Sequence, residues 1–329
     1  MPAAIRRFAP DYFILSLFGA IIVASLLPAK GGWAHVVDIV TTAAIVLLFF
    51  LHGVRLERSA VIAALTHWPL HLTILGATFI LFPLLGLGLH AALRPAMPEQ
   101  LWLGLLFLCA LPSTVQSSIA FTSIARGNVA GAVAAAATSN ILGVALAPVI
   151  VGLITPAHGI ISPSGIVKIA SELVAPFAIG HLLRPWLGQW AARNKRLLTF
   201  TDRGTIVLAV YSAFSVAVNA HIWSQIPPLT LLILVGICSL LLALVLLITR
   251  YGARLLGFSR EDEIAILFCG SKKSLASGLP MARVLFSGPA NAAMIGGVML
   301  PLILFHQIQL IVCAWIARRY GERAKTPVS

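Results

Sequence analysis

The sequence predicts an all-α polytopic membrane protein of ten transmembrane helices, and three observations carry the prediction. Hydrophobic residues make up 59% of the 329 residues and charged residues only 10%, far outside a soluble globular composition. Apolar runs of about 20 residues, long enough to cross a ~30 Å hydrocarbon core as helices, recur ten times along the chain. The connections between them are too short to hold a soluble domain.

In order, the runs lie at about 11–29, 33–54, 68–91, 101–124, 128–154, 164–185, 203–222, 228–249, 261–286 and 290–317. The first follows Arg6 and Arg7 and imitates a secretory signal peptide, but the spans behind it make a retained helix the better reading. The longest basic linker, Arg184 to Arg203, joins the sixth and seventh runs. Of the 23 lysines and arginines, 17 fall on the side shared by the N-terminus and the even-numbered connections and 4 on the other, leaving Lys272 and Lys273 within a span. Both termini are therefore expected in the cytoplasm. The net charge of +13 does not indicate nucleic-acid binding, because the basic residues lie between spans instead of forming a stripe. Cys109, Cys238, Cys269 and Cys313 all sit inside apolar runs without metal-ligand spacing, which fits reduced packing residues. No bound cofactor or metal is indicated.

The ninth run contains the most costly stretch, Phe268-Cys-Gly-Ser-Lys-Lys-Ser-Leu-Ala-Ser-Gly-Leu-Pro280. A charged lysine near a bilayer centre costs roughly 2.5–3.5 kcal/mol on insertion scales, so Lys272 and Lys273 need water, a partner or a ligand. Irregular backbone around Gly270, Gly278 and Pro280 is tolerable at that depth only where it is buried in protein or lines a cavity. The stretch is thus expected to be a broken membrane helix around a polar site. A water-exposed loop is the competing reading, and Ile264 to Phe268 and Leu275 to Phe286 argue against it by leaving no long polar connection. Snorkelling would suit one lysine better than both, since adjacent helical residues point about 100° apart.

The fourth run has its own interruption, Leu111-Pro-Ser-Thr-Val-Gln-Ser-Ser118, where Pro112 frees a carbonyl and Thr114, Gln116, Ser117 and Ser118 supply polar groups. Ser113, Thr114 or water can satisfy the freed carbonyl. This is the fourth span of the first five, and the lysine-bearing break is the fourth span of the second five. Interrupted spans at matching places in two halves point to a transporter of inverted repeats, here 1–155 and 156–329, with its substrate site between them. In the fifth run Gly127, Gly131, Ala135, Ser139, Gly143 and Ala147 recur every four residues and form a face that another helix can approach closely. Thr138 and Asn140 interrupt its alanine-rich middle, as ligand contacts or as bonds to a neighbouring helix.

Two motifs, Pro112-Ser-Thr-Val-Gln-Ser-Ser-Ile-Ala-Phe-Thr-Ser-Ile-Ala-Arg-Gly-Asn-Val-Ala130 and Ile266-Leu-Phe-Cys-Gly-Ser-Lys-Lys-Ser-Leu-Ala-Ser-Gly-Leu-Pro-Met281, carry a resemblance to a known family. The chain resembles the bile acid:sodium symporter superfamily over nearly its whole length, and within it the bacterial branch related to the seventh member of solute carrier family ten. The resemblance implies a multi-pass protein of the bacterial inner (cytoplasmic) membrane. Helices one, two, six and seven would form a panel and helices three, four, five, eight, nine and ten a core, in which broken helices four and nine cross. A small-molecule solute would bind in the crevice between them, and panel and core would move to give alternating access.

One departure matters most. Sodium-coupled relatives carry a glutamate two residues before a glycine of the ninth helix and a glutamine two residues after it. With that glycine aligned on Gly270, Phe268 and Lys272 occupy those positions. A phenyl ring offers a cation no ligand and an ammonium repels one. The expectation is therefore a secondary transporter of a small anionic organic solute, independent of sodium. Lys272, with Lys273, would supply the positive charge, and Ser271, Ser274, Thr114, Gln116, Ser117, Ser118, Thr138 and Asn140 the polar surroundings. A lysine that exchanges its proton during the cycle would couple transport to protons.

Alternatives are a sodium-coupled symporter of bile-acid-like anions and a regulatory membrane protein that keeps the fold without transport. An enzyme using a serine beside Lys272 or Lys273 lacks any separate oxyanion motif. Glu172 is the only carboxylate well inside an apolar run and would pair with a lysine, or lie near the outer boundary as Lys168 suggests. Oligomeric state is not legible.

Overall fold

The computed structural model describes residues 12–55, 67–155, 170–219, 227–286 and 295–323. Among these the regular structure is entirely helical. Helices α1 (Tyr12–Leu26) and α2 (Gly31–Arg55) are followed by α3 (Trp68–Gly76), which runs through a π-helical turn, Ala77–Leu81, into α4 (Phe82–Leu93). Next come α5 (Glu99–Ala110), α6 (Gln116–Ile124) and α7 (Val129–Ile154). A second π-helical turn, Ala170–Val174, leads into α8 (Ala175–Leu182), α9 (Arg184–Arg193), α10 (Lys195–Asn219) and α11 (Pro228–Leu255). The chain continues with α12 (Arg260–Gly270), α13 (Leu275–Leu285) and α14 (Ile295–Arg323).

Five continuous helical stretches among the described residues are long and apolar enough to cross a membrane. Leu72, Ile80, Leu153, Leu232 and Ile311 are 58–79% exposed, an apolar exterior that water would penalise and hydrocarbon would accept. The chain is a multi-pass membrane protein. Its N-terminal arginines Arg6 and Arg7, Lys168, the connection at 287–291 and both termini lie outside the described residues.

The helices associate in two sets. α2 packs against α8, α9 and α10, and α1 against α10. The contact of α2 with α8 is made backbone to backbone, since a Cβ on Gly53 would fall 2.0 Å from the Phe177 carbonyl oxygen, and one on Gly180 2.0 Å from that of Phe50. The second set gathers α5, α13 and α11 around α14, and α3, α6, α7 and α11 around α12. α10 touches both sets, through α13 and α14. One apolar core, including Phe49, Phe82, Phe107, Phe214, Phe268 and Phe305, runs through both.

Two expectations require correction. The basic linker from Arg184 to Arg203 is helical, forming α9 and the first turns of α10, with only Asn194 between them. Gly278 and Pro280 do not break the ninth span, because both lie inside α13. Pro280 withholds one N–H there and leaves the Ala276 carbonyl without its helical donor, whereas the Gly278 N–H still donates to the Ser274 carbonyl. Gly278 is instead a site of close approach: a Cβ would meet Leu111 Cδ1 at 2.4 Å.

Candidate functional site

The first break falls where a proline removes the next helical hydrogen bond, and the second where a glycine is followed by four polar residues. α5 stops at Leu111, which is extended (φ −71°, ψ 154°) as the residue before a proline prefers. Chain resumes as helix only at Gln116. α12 is held at its start by Ser259, whose hydroxyl accepts from the Asp262 N–H, and by three acidic residues that complement the helix dipole. It ends at Gly270, and α13 restarts behind Ser274, whose hydroxyl accepts from the Ser277 N–H.

A helix end leaves carbonyls without donors and amides without acceptors, which hydrocarbon cannot satisfy. Here the two breaks satisfy one another. The Ser274 N–H donates to the Pro112 carbonyl at 2.9 Å. The Ser113 hydroxyl donates to the Cys269 carbonyl at 2.6 Å, and the Ser118 hydroxyl to the Phe268 carbonyl at 3.1 Å. The small-residue face of α7 closes one side of this junction. A Cβ on Gly143 would meet Pro112 at 2.6 Å, Ser139 Oγ accepts from the Ser113 N–H, and Asn140 Nδ2 donates to the Ser113 carbonyl. Asn140 also accepts from the Ser277 hydroxyl at 3.0 Å and so touches both breaks.

Lys272 and Lys273 are both fully buried, yet their surroundings are opposite. Lys273 Nζ donates to the carbonyls of Thr78, Cys109 and Leu111, each at 2.7 Å. An ammonium has three hydrogens, and all three are used. The acceptors are those that the backbone makes available: Thr78 lies in the π-helical turn, Cys109 in the last turn of α5, and Leu111 just before the proline. The Lys273 main chain is fixed too, its N–H donating to Gln309 Oε1 and its carbonyl accepting from Gln309 Nε2, both at 2.9 Å. The Phe82 ring centroid lies 4.1 Å from the Lys273 ammonium.

Lys272 Nζ has no hydrogen-bond partner among the described residues. Its ammonium sits over the Phe121 ring, 3.7 Å from the centroid, with Phe268 at 5.8 Å. Such contacts stabilise a desolvated cation by about 2 kcal/mol, well below the several kcal/mol needed to strip an ion of water. Lys272 therefore keeps its hydrogen-bonding capacity unspent.

The other sequence-predicted residues divide similarly. Thr114 bonds to Ser117 and Ser118 and stabilises the start of α6. Ser271 turns back on its own helix to the Leu267 carbonyl, and Ser274 caps α13, so no serine is bonded to either lysine ammonium. Thr138 Oγ1 is buried without a partner, and Gln116 is exposed. Glu172 acts on Arg283 and not on the lysines, and Arg283 is hydrogen-bonded to Asp38. Sequence reasoning placed Ser139 in the small-residue face and passed over Phe121 and Gln309. The run His306-Gln-Ile-Gln309 inside the tenth span was the available signal for the last of these.

Residues 11–322 match the model of the SBF-like CPA transporter family. An uncharacterized protein of Pseudomonas aeruginosa is 53% identical over 319 residues, covering 96% of this chain and 95% of its own. A protein of Escherichia coli (strain K12), provisionally named the symporter YfeH, is 49% identical over 317 residues, 96% and 94% of the two chains. Sodium/bile acid cotransporter 7 of Danio rerio is 28% identical over 342 residues, 98% of this chain and 99% of its own. With the family's model spanning the described helices and both breaks, the chain belongs to the SBF-like CPA transporter family.

Proposed function

We propose that this protein is a secondary transporter of a small anionic organic solute, working by alternating access and without sodium. Membership of a transporter family, and relatives named as symporter and cotransporter, support secondary transport and set the enzyme reading aside. The observation that carries the finer reading is the Lys273 ammonium bonded to three main-chain carbonyls at the meeting of the two breaks. Carbonyl oxygens are what a small hard cation would also require, and an ammonium already among them leaves an incoming sodium ion repelled and without ligands.

The two lysines then have separate tasks. Lys273 is the built-in cation that holds the crossed breaks together, a role the sequence alone assigned first to Lys272. Lys272 supplies the uncommitted charge, which an anion can engage when the helices beside Phe121 part. If Lys272 gives up its proton as the solute leaves, proton movement is coupled to transport. The two-set packing, with α1, α2 and α8 to α10 in one and the broken helices in the other, supports a panel moving on a core of two inverted five-helix repeats, 1–155 and 156–329. The excess of basic residues on one side supports cytoplasmic termini in a bacterial inner membrane.

The test is solute-induced thermal stabilisation of the purified protein with a panel of organic anions, in sodium and in potassium salts, repeated on Lys272→Gln. Binding of a solute to the folded state alone raises its stability by mass action. A shift that is equal in both salts and absent in the variant supports the proposal. A shift that needs sodium favours a sodium-coupled symporter, and saturable binding unchanged in the variant removes Lys272 from the site.

A further inference from the structure

Away from the breaks, two adjoining cavities lie among α11, α12 and α14. One, of about 610 Å³, is lined by Arg250, Arg254, Arg260, Glu263 and Tyr320. The other, of about 350 Å³, is walled mainly by Leu246, Leu247, Leu267, Trp315 and Ile316, and shares Arg250 and Tyr320 with the first. Arg319 also lines this second cavity, its guanidinium 3.9 Å from the Trp315 ring centroid. Along α11 the apolar Leu246 and Leu247 precede Arg250 by a turn, and along α14 Trp315 and Ile316 precede Arg319 and Tyr320 by a turn. Both helices therefore carry apolar groove wall followed by charge at the same end. Leu247 is 51% and Trp315 55% exposed, so the groove opens on the hydrocarbon-facing exterior.

The basin is not neutralised from within. Its one carboxylate, Glu263, is bound bidentately by Arg254 at 2.9 and 3.1 Å and accepts from the Tyr320 hydroxyl at 3.1 Å. Arg250 stands 3.8 Å from the same carboxylate, and its Nε is buried without a hydrogen-bond partner. Arg260 makes no ion pair with any described residue. The site thus joins an excess of guanidinium groups over carboxylates, suited to bidentate contact with a phosphate, to an adjoining apolar groove.

We propose that this is a binding site for an anionic phospholipid. Its phosphate would lie among Arg250, Arg260 and Arg319, and one acyl chain would run along Leu247, Leu267, Trp315 and Ile316. Charge selects the headgroup, and the contiguous groove selects a lipid over a free anion. Neither feature depends on the transport reading.

The full-length protein in detergent is titrated with phosphatidylglycerol carrying brominated acyl chains, which quench a nearby tryptophan. Saturable quenching is expected at a lipid fraction at least ten times lower than for phosphatidylcholine with the same chains, and Trp315→Phe should remove the saturable component. At about five-fold per arginine, the exposed pair Arg260→Gln with Arg319→Gln should weaken binding by roughly twenty-five-fold. Elution volume and near-ultraviolet circular dichroism should stay unchanged. Equal quenching by the two lipids, or full affinity in the double variant, overturns the proposal. Displacement of the brominated lipid by glycerol 3-phosphate at equal concentration would also overturn it, by identifying a soluble-anion site.

Discussion

Substituting methionine for each lysine in turn separates two side chains that burial alone does not distinguish. Lys273→Met keeps the approximate length of the side chain but removes all three donors, stranding the carbonyls of Thr78, Cys109 and Leu111, all fully buried residues. An unsatisfied buried acceptor costs about 1–3 kcal/mol, and removal of the buried ammonium's own desolvation penalty offsets part of the total. The net loss should be about 3–5 kcal/mol, as for breaking other buried ionic contacts. Lys272→Met strands nothing, because that nitrogen has no hydrogen-bond partner. It forfeits about 2 kcal/mol of ring contact and removes a desolvation penalty of similar or larger size. Its folded state should be as stable as the parent's or up to about 2 kcal/mol more so. Thermal melts in one detergent, at roughly 2 °C per kcal/mol for a chain of this order of size, should place Lys273→Met about 6–10 °C below the parent and Lys272→Met no lower than it. Equal losses, or a larger loss at Lys272, would refute the division of labour between the two lysines.

Gln309→Leu should destabilise by about 2–4 kcal/mol, since it leaves the buried Lys273 N–H and carbonyl both unpaired; a melt within 1 °C of the parent would count against that pairing. Gly180→Ala should force α2 and α8 apart, because the added methyl meets the Phe50 carbonyl at 2.0 Å and main chain cannot turn aside as a flexible side chain can. Disulfide trapping between cysteines placed on α2 and α8 should slow in that variant, and an unchanged rate would contradict the contact. Asp38→Asn weakens the ion pair between α2 and the buried Arg283 of α13, so amide exchange in 275–285 should quicken while 260–270 stays protected. Uniform protection would mean that the pair does not restrain α13.

Much of the site was legible because membrane chemistry makes polar residues costly. Pro112, Lys272, Lys273 and the serines beside them stand out against leucine and alanine, and both interruptions were visible as polar runs inside apolar ones. Gly278 and Pro280 misled because both residues weaken a helix locally without deciding its end. Within α13, packing against Leu111 and Leu302 holds the backbone helical despite them. The Arg184 to Arg203 linker misled for the converse reason: its charges looked like a connection, yet α9 and the start of α10 are amphipathic enough to bury Ala191 and Leu198 against α2.

By itself the sequence determined that the protein lives in a membrane and where two of its apolar runs are interrupted. These follow from composition and spacing along one dimension, where hydrocarbon acts on every residue alike. Only the tertiary structure decided which lysine is bound and which is free. Lys272 and Lys273 are neighbours of the same chemical type, and nothing local separates them. The difference arises because one side chain reaches carbonyls contributed by the π-helical turn at Thr78 and by the end of α5, about 160 to 195 residues earlier, while the other meets an aromatic face. Those acceptors come together only once helices distant in sequence have packed, so which lysine is hydrogen-bonded is a property of the fold.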